Sequence, residues 1–254
     1  MKTSDSLVDR TRSILILGPP GGGKTTFVLQ WPNVWIADCD MNLAGPVKWL
    51  KKAGLYRPFK YDTIPYDDDG KPLPLAQWWP RLVKKTREAL ADPTVQIVVV
   101  DSLTQVDNML VEYTMATQGV KVMEIQHWRP FRRDLHDYIL SSRSRGKTFV
   151  MLGHEEILTD RQGGVLGYRP SVSTKIADYF GYYFTDIWRC QITLDAGNKL
   201  RARVRTHPNA LCNLKNSLLL PTEIDATWVA LEPYMQEILS AASAAENTET
   251  KTQN

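Results

Sequence analysis

The run Gly18-Pro19-Pro20-Gly21-Gly22-Gly23-Lys24-Thr25 satisfies the pattern GxxxxGK[ST]. It lies between an apolar stretch, Ser13 to Leu17, and a helical-looking one, Lys24 to Gln30. Glycines at these spacings let backbone N–H groups wrap an anion, the helix start adds positive partial charge, and Lys24 can reach the terminal phosphates. The expected ligand is ATP with Mg2+, held by Gly18 through Gly23 with Lys24, Thr25 and Thr26, the Thr25 hydroxyl lying on the metal. Asp101, directly after the apolar run Val95 to Val100, is the expected carboxylate partner of that metal. Hydrolysis also needs a group that takes a proton from water, and the residue after Asp101 is Ser102, which has no carboxylate. Asp40, closing the stretch IADCD, is the expected base, with Asp38 the competing candidate and a solvated strand-end turn the plain alternative for both. His154 ends the run TFVMLGH, where it either reports the terminal phosphate to the segment after it or is a histidine satisfied at a strand end.

Cations are the second chemical resource. The net charge of +3 is uneven: residues 1–120 hold 14 Lys and Arg against 13 Asp and Glu, residues 121–215 hold 16 against 9, and residues 216–254 hold 1 against 6. A basic middle suits an anionic polymer, although a solvated face gives the same count. Within it, Arg161, Arg169 and Lys175 lie among glycines with Tyr168 available to stack on a base, a composition that suits sequence-indifferent binding of a single strand. Arg201, Arg203 and Arg205 alternate in LRARVRT and so share one face of a strand, lining a DNA path, meeting a neighbouring subunit's ATP, or facing solvent. Trp128 and Phe131 interleave with arginines, but their spacing of three suits a helix core, which is the favoured reading. Asp67-Asp68-Asp69-Gly70 fails as a calcium loop, because the first and twelfth positions would be Pro65 and Ala76, and is expected to be a surface turn anchored by Trp78 and Trp79.

These groups need a frame. The 254 residues are 43% apolar and 23% charged, with 15 Gly, 15 Pro and 3 Cys, which excludes collagen-like, disulfide-scaffold and wholly disordered chains. Cys39, Cys190 and Cys212 show no zinc spacing and are expected to be reduced thiols. No run approaches the ~18 apolar residues of a membrane span. Met1 to Ser13 also lacks the apolar centre of a signal peptide, so a cytoplasmic protein that meets no membrane is expected. Apolar runs alternate with helical stretches in the βαβ manner. Strands are predicted at Ser13 to Leu17, Val34 to Ala37, Val95 to Val100 and Thr148 to Leu152. Helices are predicted at Asn42 to Gly54, Leu75 to Leu90, Thr104 to Thr117 and His127 to Arg143. Arg57 to Pro74 reads as an excursion over the surface and Glu155 to Ser173 as a loop, and Ile187 to Leu194 with Leu200 to Thr206 as a hairpin around Asp195 to Asn198.

Taken together, these residues resemble the RecA/recombinase core, and more closely the short phage-encoded RecA-core ATPases known as single-strand annealing or phage nucleotide-binding proteins. The resemblance runs from about Ser13 to Pro233. It rests on Gly23-Lys-Thr-Thr26, Trp31-Pro32, Asp38-Cys-Asp40, IVVVDSLT, MLGHEE, and an Arg-rich strand followed by Lys215 shortly before Leu220-Pro221. It implies an α/β fold of RecA-like P-loop NTPase type, a mainly parallel twisted sheet flanked by helices with a C-terminal antiparallel hairpin extension. Residues 1–12 would be an arm, 13–240 the ATPase core and 241–254 a disordered acidic tail. It further implies Mg-ATP hydrolysis, with His154 as polar sensor, the segment after it as DNA-binding loop, and Lys215 as a lysine acting across a subunit interface. The implied task is single-stranded DNA binding with annealing or recombination, by a ring or filament of identical copies working beside a single-strand-binding protein. The chain departs from the recombinase pattern in carrying Asp40 where Glu is usual and in lacking an F-x-x-A hook for neighbouring subunits. Two other readings stay open: a small-molecule or nucleotide kinase with Glu155 to Lys175 as lid, and a non-catalytic nucleotide switch that recruits a replication or recombination partner.

Overall fold

Ile14 to Leu17, Ile97 to Val100 and Phe149 to Leu152 are apolar runs without polar interruption, the pattern of strands covered on both faces. The computed structural model describes residues 12–143, 146–173, 177, 180–195 and 197–236. Within these, β1 (Ser13–Gly18), α1 (Lys24–Val28), β2 (Val34–Asp38), α2 (Ala44–Ala53), β3 (Lys60–Thr63), α3 (Leu75–Ala91), β4 (Ile97–Asp101) and α4 (Leu103–Gln118) form the first half. The second half comprises α5 (Trp128–Arg143), β5 (Thr148–Thr159), β6 (Val165–Pro170), α6 (Phe180–Tyr183), β7 (Asp186–Leu194), β8 (Leu200–Arg205) and β9 (Glu223–Asp225), and residues 228–236 are helical.

Among the described residues the strands make one sheet in the order β3-β2-β4-β5-β1-β7-β8-β9, with β6 added to the outer half of β5. Pairing is parallel from β3 to β7 and antiparallel from β7 to β9 and between β5 and β6. This is the mainly parallel α/β sheet with a C-terminal antiparallel extension that the sequence predicts. Period-two alternation divides the core into two layers. Leu15, Leu17, Val98, Val100, Phe149 and Met151 pack with residues of α3, α4 and α5. Ile14, Ile16, Ile97, Val99, Val150 and Leu152 pack with residues of α1, α2 and the helix at 228–236. Trp31 fixes α1 in the second layer, its ring centroid 5.2 Å from Phe27, 6.4 Å from Trp188 and 6.0 Å from Trp228. β1 lies between β5 and β7, both remote in sequence, so its carboxyl end is a switch point of the topology, where open α/β sheets form their crevice.

Two expectations are corrected. The Arg57 to Pro74 stretch is not only a surface excursion: it contributes β3, parallel to β2 with Trp35 opposite Lys60 and Asp38 opposite Thr63. As an edge strand it is largely exposed and carries no apolar run to announce it. Glu155 to Ser173 is not a loop. β5 continues to Thr159 and β6 returns antiparallel, with Glu156 opposite Arg169 and an irregularity at Leu158/Thr159. Gly163 and Gly164 serve its turn, where the Asp160 carboxylate accepts hydrogen bonds from the Gln162 and Gly164 amides, while Gly167 lies in β6 opposite Leu158.

Elsewhere local chemistry agrees with the sequence. The Asp67 carboxylate accepts from the Asp69 and Lys71 amides while Asp68 pairs with Arg81 and Lys85, making the acidic run a surface turn. Trp79 is buried with its ring 5.1 Å from that of Tyr138, and the Trp78 indole donates to the Leu73 carbonyl. Phe131 is fully buried with its ring 5.3 Å from that of Trp128, as a helix core requires. All three cysteines are buried free thiols. Among the described residues no helix is long and apolar enough to cross a membrane. Residues 1–11, the tail at 241–254 and Lys175 lie outside the described residues.

Phe149 is fully buried at the centre of the sheet, with its ring edge-on to Tyr138 at 5.9 Å. Phe149→Ala is expected to lower stability by about 3 to 5 kcal/mol, read from the midpoint of urea unfolding. A loss below about 1 kcal/mol would mean that α5 does not pack on β5 as described.

Candidate functional site

β1 ends at Gly18 because nothing larger fits. A Cβ there would lie 2.1 Å from the carbonyl oxygen of Cys190 on β7. The chain then turns through Pro19 to Gly22, and Gly23 enters α1 at φ +90°, a left-handed conformation open to glycine. The Cys190 thiol donates to the Gly22 carbonyl at 3.0 Å, so β7 holds the loop from behind.

Lys24 and Thr25 open α1 and therefore face the end of the sheet. The Lys24 ammonium is buried and donates to the carbonyls of Gly18 at 2.9 Å and Pro19 at 3.0 Å. Burial lowers its pKa, and Asp101 is the foremost of the charges that pull it back up. The Thr25 hydroxyl donates to the Asp101 carboxylate at 2.7 Å. Burial pushes the Asp101 carboxyl up to about 6, against the lowering effect of that hydrogen bond. A hydroxyl and a carboxylate side by side next to the phosphate loop are a hard-oxygen pair that suits Mg2+, which completes its shell with water and phosphate oxygens. Among the described residues no cluster of three or more His, Cys, Asp or Glu side chains is arranged to cage a metal, and a nucleotide-borne Mg2+ needs none.

The strand ends beside β1 bring up the remaining groups. Asp38 lies opposite Asp101 in register. Its carboxylate accepts from the Asn42 amide at 3.2 Å, and burial raises its pKa, so it holds the turn that follows β2. Asp40, two residues beyond the end of β2, meets different partners. Its Oδ1 accepts from the Ser102 hydroxyl at 3.2 Å, and its Oδ2 lies 3.6 Å from Nε2 of His154. His154 sits opposite Gly18 in the β1–β5 register, and its Nδ1 is buried with no hydrogen-bond partner among the described residues. Gly18 to Thr25, Asp101 and Asp40 thus converge at the carboxyl ends of β1, β4 and β2, and His154 joins them from the middle of β5, at the point where its pairing with β1 stops and its pairing with β6 starts. Thr26 continues α1, its carbonyl accepting from the Gln30 amide group.

The cations gather elsewhere. Arg161 is exposed at the tip of the β5–β6 hairpin. Arg169 pairs with Glu156 across that hairpin, and Tyr168 lies 4.1 Å under the guanidinium of Arg189. Arg201, Arg203 and Arg205 do share one face of β8, but each meets an acid: Arg201 with Asp195, Arg203 with Asp225 and Glu223, and Arg205 with Glu223. The Lys215 ammonium donates to the carbonyls of Gly181 and Phe184 in its own chain.

Sequence reasoning missed three members of this neighbourhood. Ser102 stands next to Asp101 in sequence, so its contact with Asp40 could have been sought there. Cys190 gives no signal, because its place behind the loop depends on the long-range pairing of β1 with β7. The ion pair of Arg189 with Glu155, at 2.6 and 2.8 Å, is hidden for the same reason.

A family model described as an AAA domain matches residues 10–210 of the chain. A comparison with curated proteins finds no match.

Asp101 also sets a pH dependence in the protein free of metal and nucleotide. Its folded pKa of about 6 stands above the ordinary 3.8, so its contribution to stability is complete below pH ~4 and is lost as pH rises through ~6. Asp101→Asn is therefore expected to flatten the fall in stability across that window and to raise stability at pH 7 by roughly 1 to 3 kcal/mol relative to the parent protein. Urea unfolding at intervals from pH 4 to 8 measures both; an unaltered slope would assign the titration to another group.

Proposed function

The chain belongs to the AAA domain family and is a nucleotide-binding P-loop ATPase of that type, and from this premise we propose a RecA-class enzyme that hydrolyses Mg-ATP and uses the cycle to bind single-stranded DNA for annealing or recombination. The observation that carries the proposal is the continuity of β5: one strand takes His154, 3.6 Å from Asp40, straight into the projecting hairpin that ends at Arg161. In this reading Lys24 and the loop amides hold the phosphates and Asp40 takes the proton from the attacking water. The Ser102 hydroxyl fixes the orientation of that carboxylate. Bound Mg2+, on Thr25 and Asp101, supplies charge neutralisation at the phosphate oxygens. His154 responds to the terminal phosphate, and its strand conveys the difference to the hairpin.

Single-stranded DNA enters through the basic middle of the sequence and the resemblance to phage-encoded annealing ATPases, with a ring or filament of identical copies as the working assembly. A second reading is favoured by the ion pairing of Arg169, Arg201, Arg203 and Arg205 and by the exposed Ile157 and Leu166 on the hairpin. There the hairpin addresses a protein, such as a single-strand-binding protein, and the nucleotide acts as a switch.

Steady-state ATP hydrolysis without nucleic acid, with single strands and with duplex separates the two, using Lys24→Ala as background. Stimulation by single strands that fades steeply with salt supports the first reading. Turnover indifferent to DNA favours the second. Asp40→Asn is expected to bind ATP as the parent does and to hydrolyse it at least ~100-fold more slowly. Full activity in that variant would move the base elsewhere.

A further inference from the structure

The phosphate loop has a charged flank and an apolar one. Toward β5, β4 and β2 stand His154, Asp101 and Asp40. Toward β7 and β8 stands a hairpin whose two faces differ in character. On the face it shares with α1, Cys190, Ile192 and Leu194 of β7 oppose Val204, Ala202 and Leu200 of β8. The inner end of this face is closed over by the loop: Cys190 and Val204 are fully buried, and a Cβ at Gly23 would lie 3.3 Å from that of Ala202. The outer end is open. Ile192, Leu194 and Leu200 are 46%, 63% and 73% exposed, three aliphatic side chains on one strip of sheet that begins at the phosphate loop.

We propose that this strip, Ile192, Leu194 and Leu200, is the platform on which the base of the bound nucleotide lies. The inference rests on the nucleotide-binding reading above and adds to it the site of the nucleoside. The terminal phosphate belongs beside the catalytic carboxylates, so the rest of the nucleotide must leave the loop in the other direction. Sheet order puts β7 and β8 there. Leu194 lies four residues, about 13 Å of strand, beyond Cys190, a distance of the order of an extended nucleoside triphosphate. The chemistry also matches: a heteroaromatic ring is flat and apolar on its faces, and aliphatic side chains cover such a face while releasing water. The opposite face of the same hairpin carries Arg201, Arg203 and Arg205 with their acids and offers no such surface.

The test compares two ligands that share phosphates and differ in the nucleoside. The double variant Leu194→Ser/Leu200→Ser removes two mostly exposed side chains and no core contact. Parent and variant are titrated by calorimetry with Mg-ATP and with Mg-tripolyphosphate, and their assembly state is followed by sedimentation. The expected result is ATP bound roughly tenfold more weakly by the variant, with tripolyphosphate unchanged. Equal ATP affinity in the two proteins overturns the proposal, and if assembly alone changes, the strip is a contact between copies of the chain. Equal weakening of both ligands also overturns it, because the effect then lies in the phosphate loop. If the parent binds neither ligand, the nucleotide-binding reading falls first and the platform with it.

Discussion

An ammonium and two carboxylates, remote in sequence but buried together at one end of the sheet, are the constraint around which this molecule is built. Lys24, Asp38 and Asp101 are 6%, 5% and 5% exposed, and each pays in desolvation for its place. Burial raises the Asp101 pKa and lowers that of Lys24 for this reason. The parallel sheet makes the burial tolerable by bringing satisfied backbone and one well-placed hydroxyl to the same spot. Gly18 and Pro19 carbonyls take the ammonium, Thr25 takes Asp101, and the Asn42 amide takes Asp38. Lys24 and Asp101 held in this way are poised for a ligand that carries both a polyanion and a cation, since such a ligand offers each of them an opposite charge.

That arrangement works only because the chain closes β7 against the loop. Gly18 admits the Cys190 carbonyl, and Cys190 in turn bonds to Gly22. The sheet order then separates two kinds of chemistry across a single strand, with carboxylates and imidazole on the β5 side of β1 and thiol and aliphatic side chains on the β7 side. Without a close β1–β7 contact the loop would lack both its backing and the second flank.

The core of this design was legible in the sequence because it is local. Gly18 to Thr25 is a contiguous motif, and the apolar runs of β1, β4 and β5 are long enough to identify strands with both faces covered. Asp101 follows one of those runs directly. What was not legible depends on partners far along the chain. β3 has only Lys, Tyr, Asp and Thr, a composition that becomes a strand solely through pairing with β2 at the sheet edge. The β5–β6 hairpin was obscured by Gly163 and Gly164, which serve its turn, and by Gly167 and Pro170, which lie in β6 itself, a division visible only once Glu156 is set opposite Arg169. For the cations, the alternation in LRARVRT was readable but the acids facing it were not, because Glu223 and Asp225 arrive from β9, some twenty residues later.

Those ion pairs are of two sorts, and the difference bears on how the site could act at a distance. The pairs of Arg201 and Arg203 are half open to water, so they contribute little and can be exchanged for another anion. The pair of Arg189 with Glu155 is of the other sort, with side chains 14% and 4% exposed and two close contacts, and it reaches over β1. Separating such a pair leaves a buried charge without a partner, at a cost of several kcal/mol. Glu155 follows His154 on β5, and Arg189 precedes Cys190 on β7. The strand that carries His154 and the strand that backs the phosphate loop are therefore clamped to each other immediately beside Gly18. Beyond this clamp both strands run on into hairpins, β5 with β6 and β7 with β8, so one buried ion pair ties together the roots of the two hairpins.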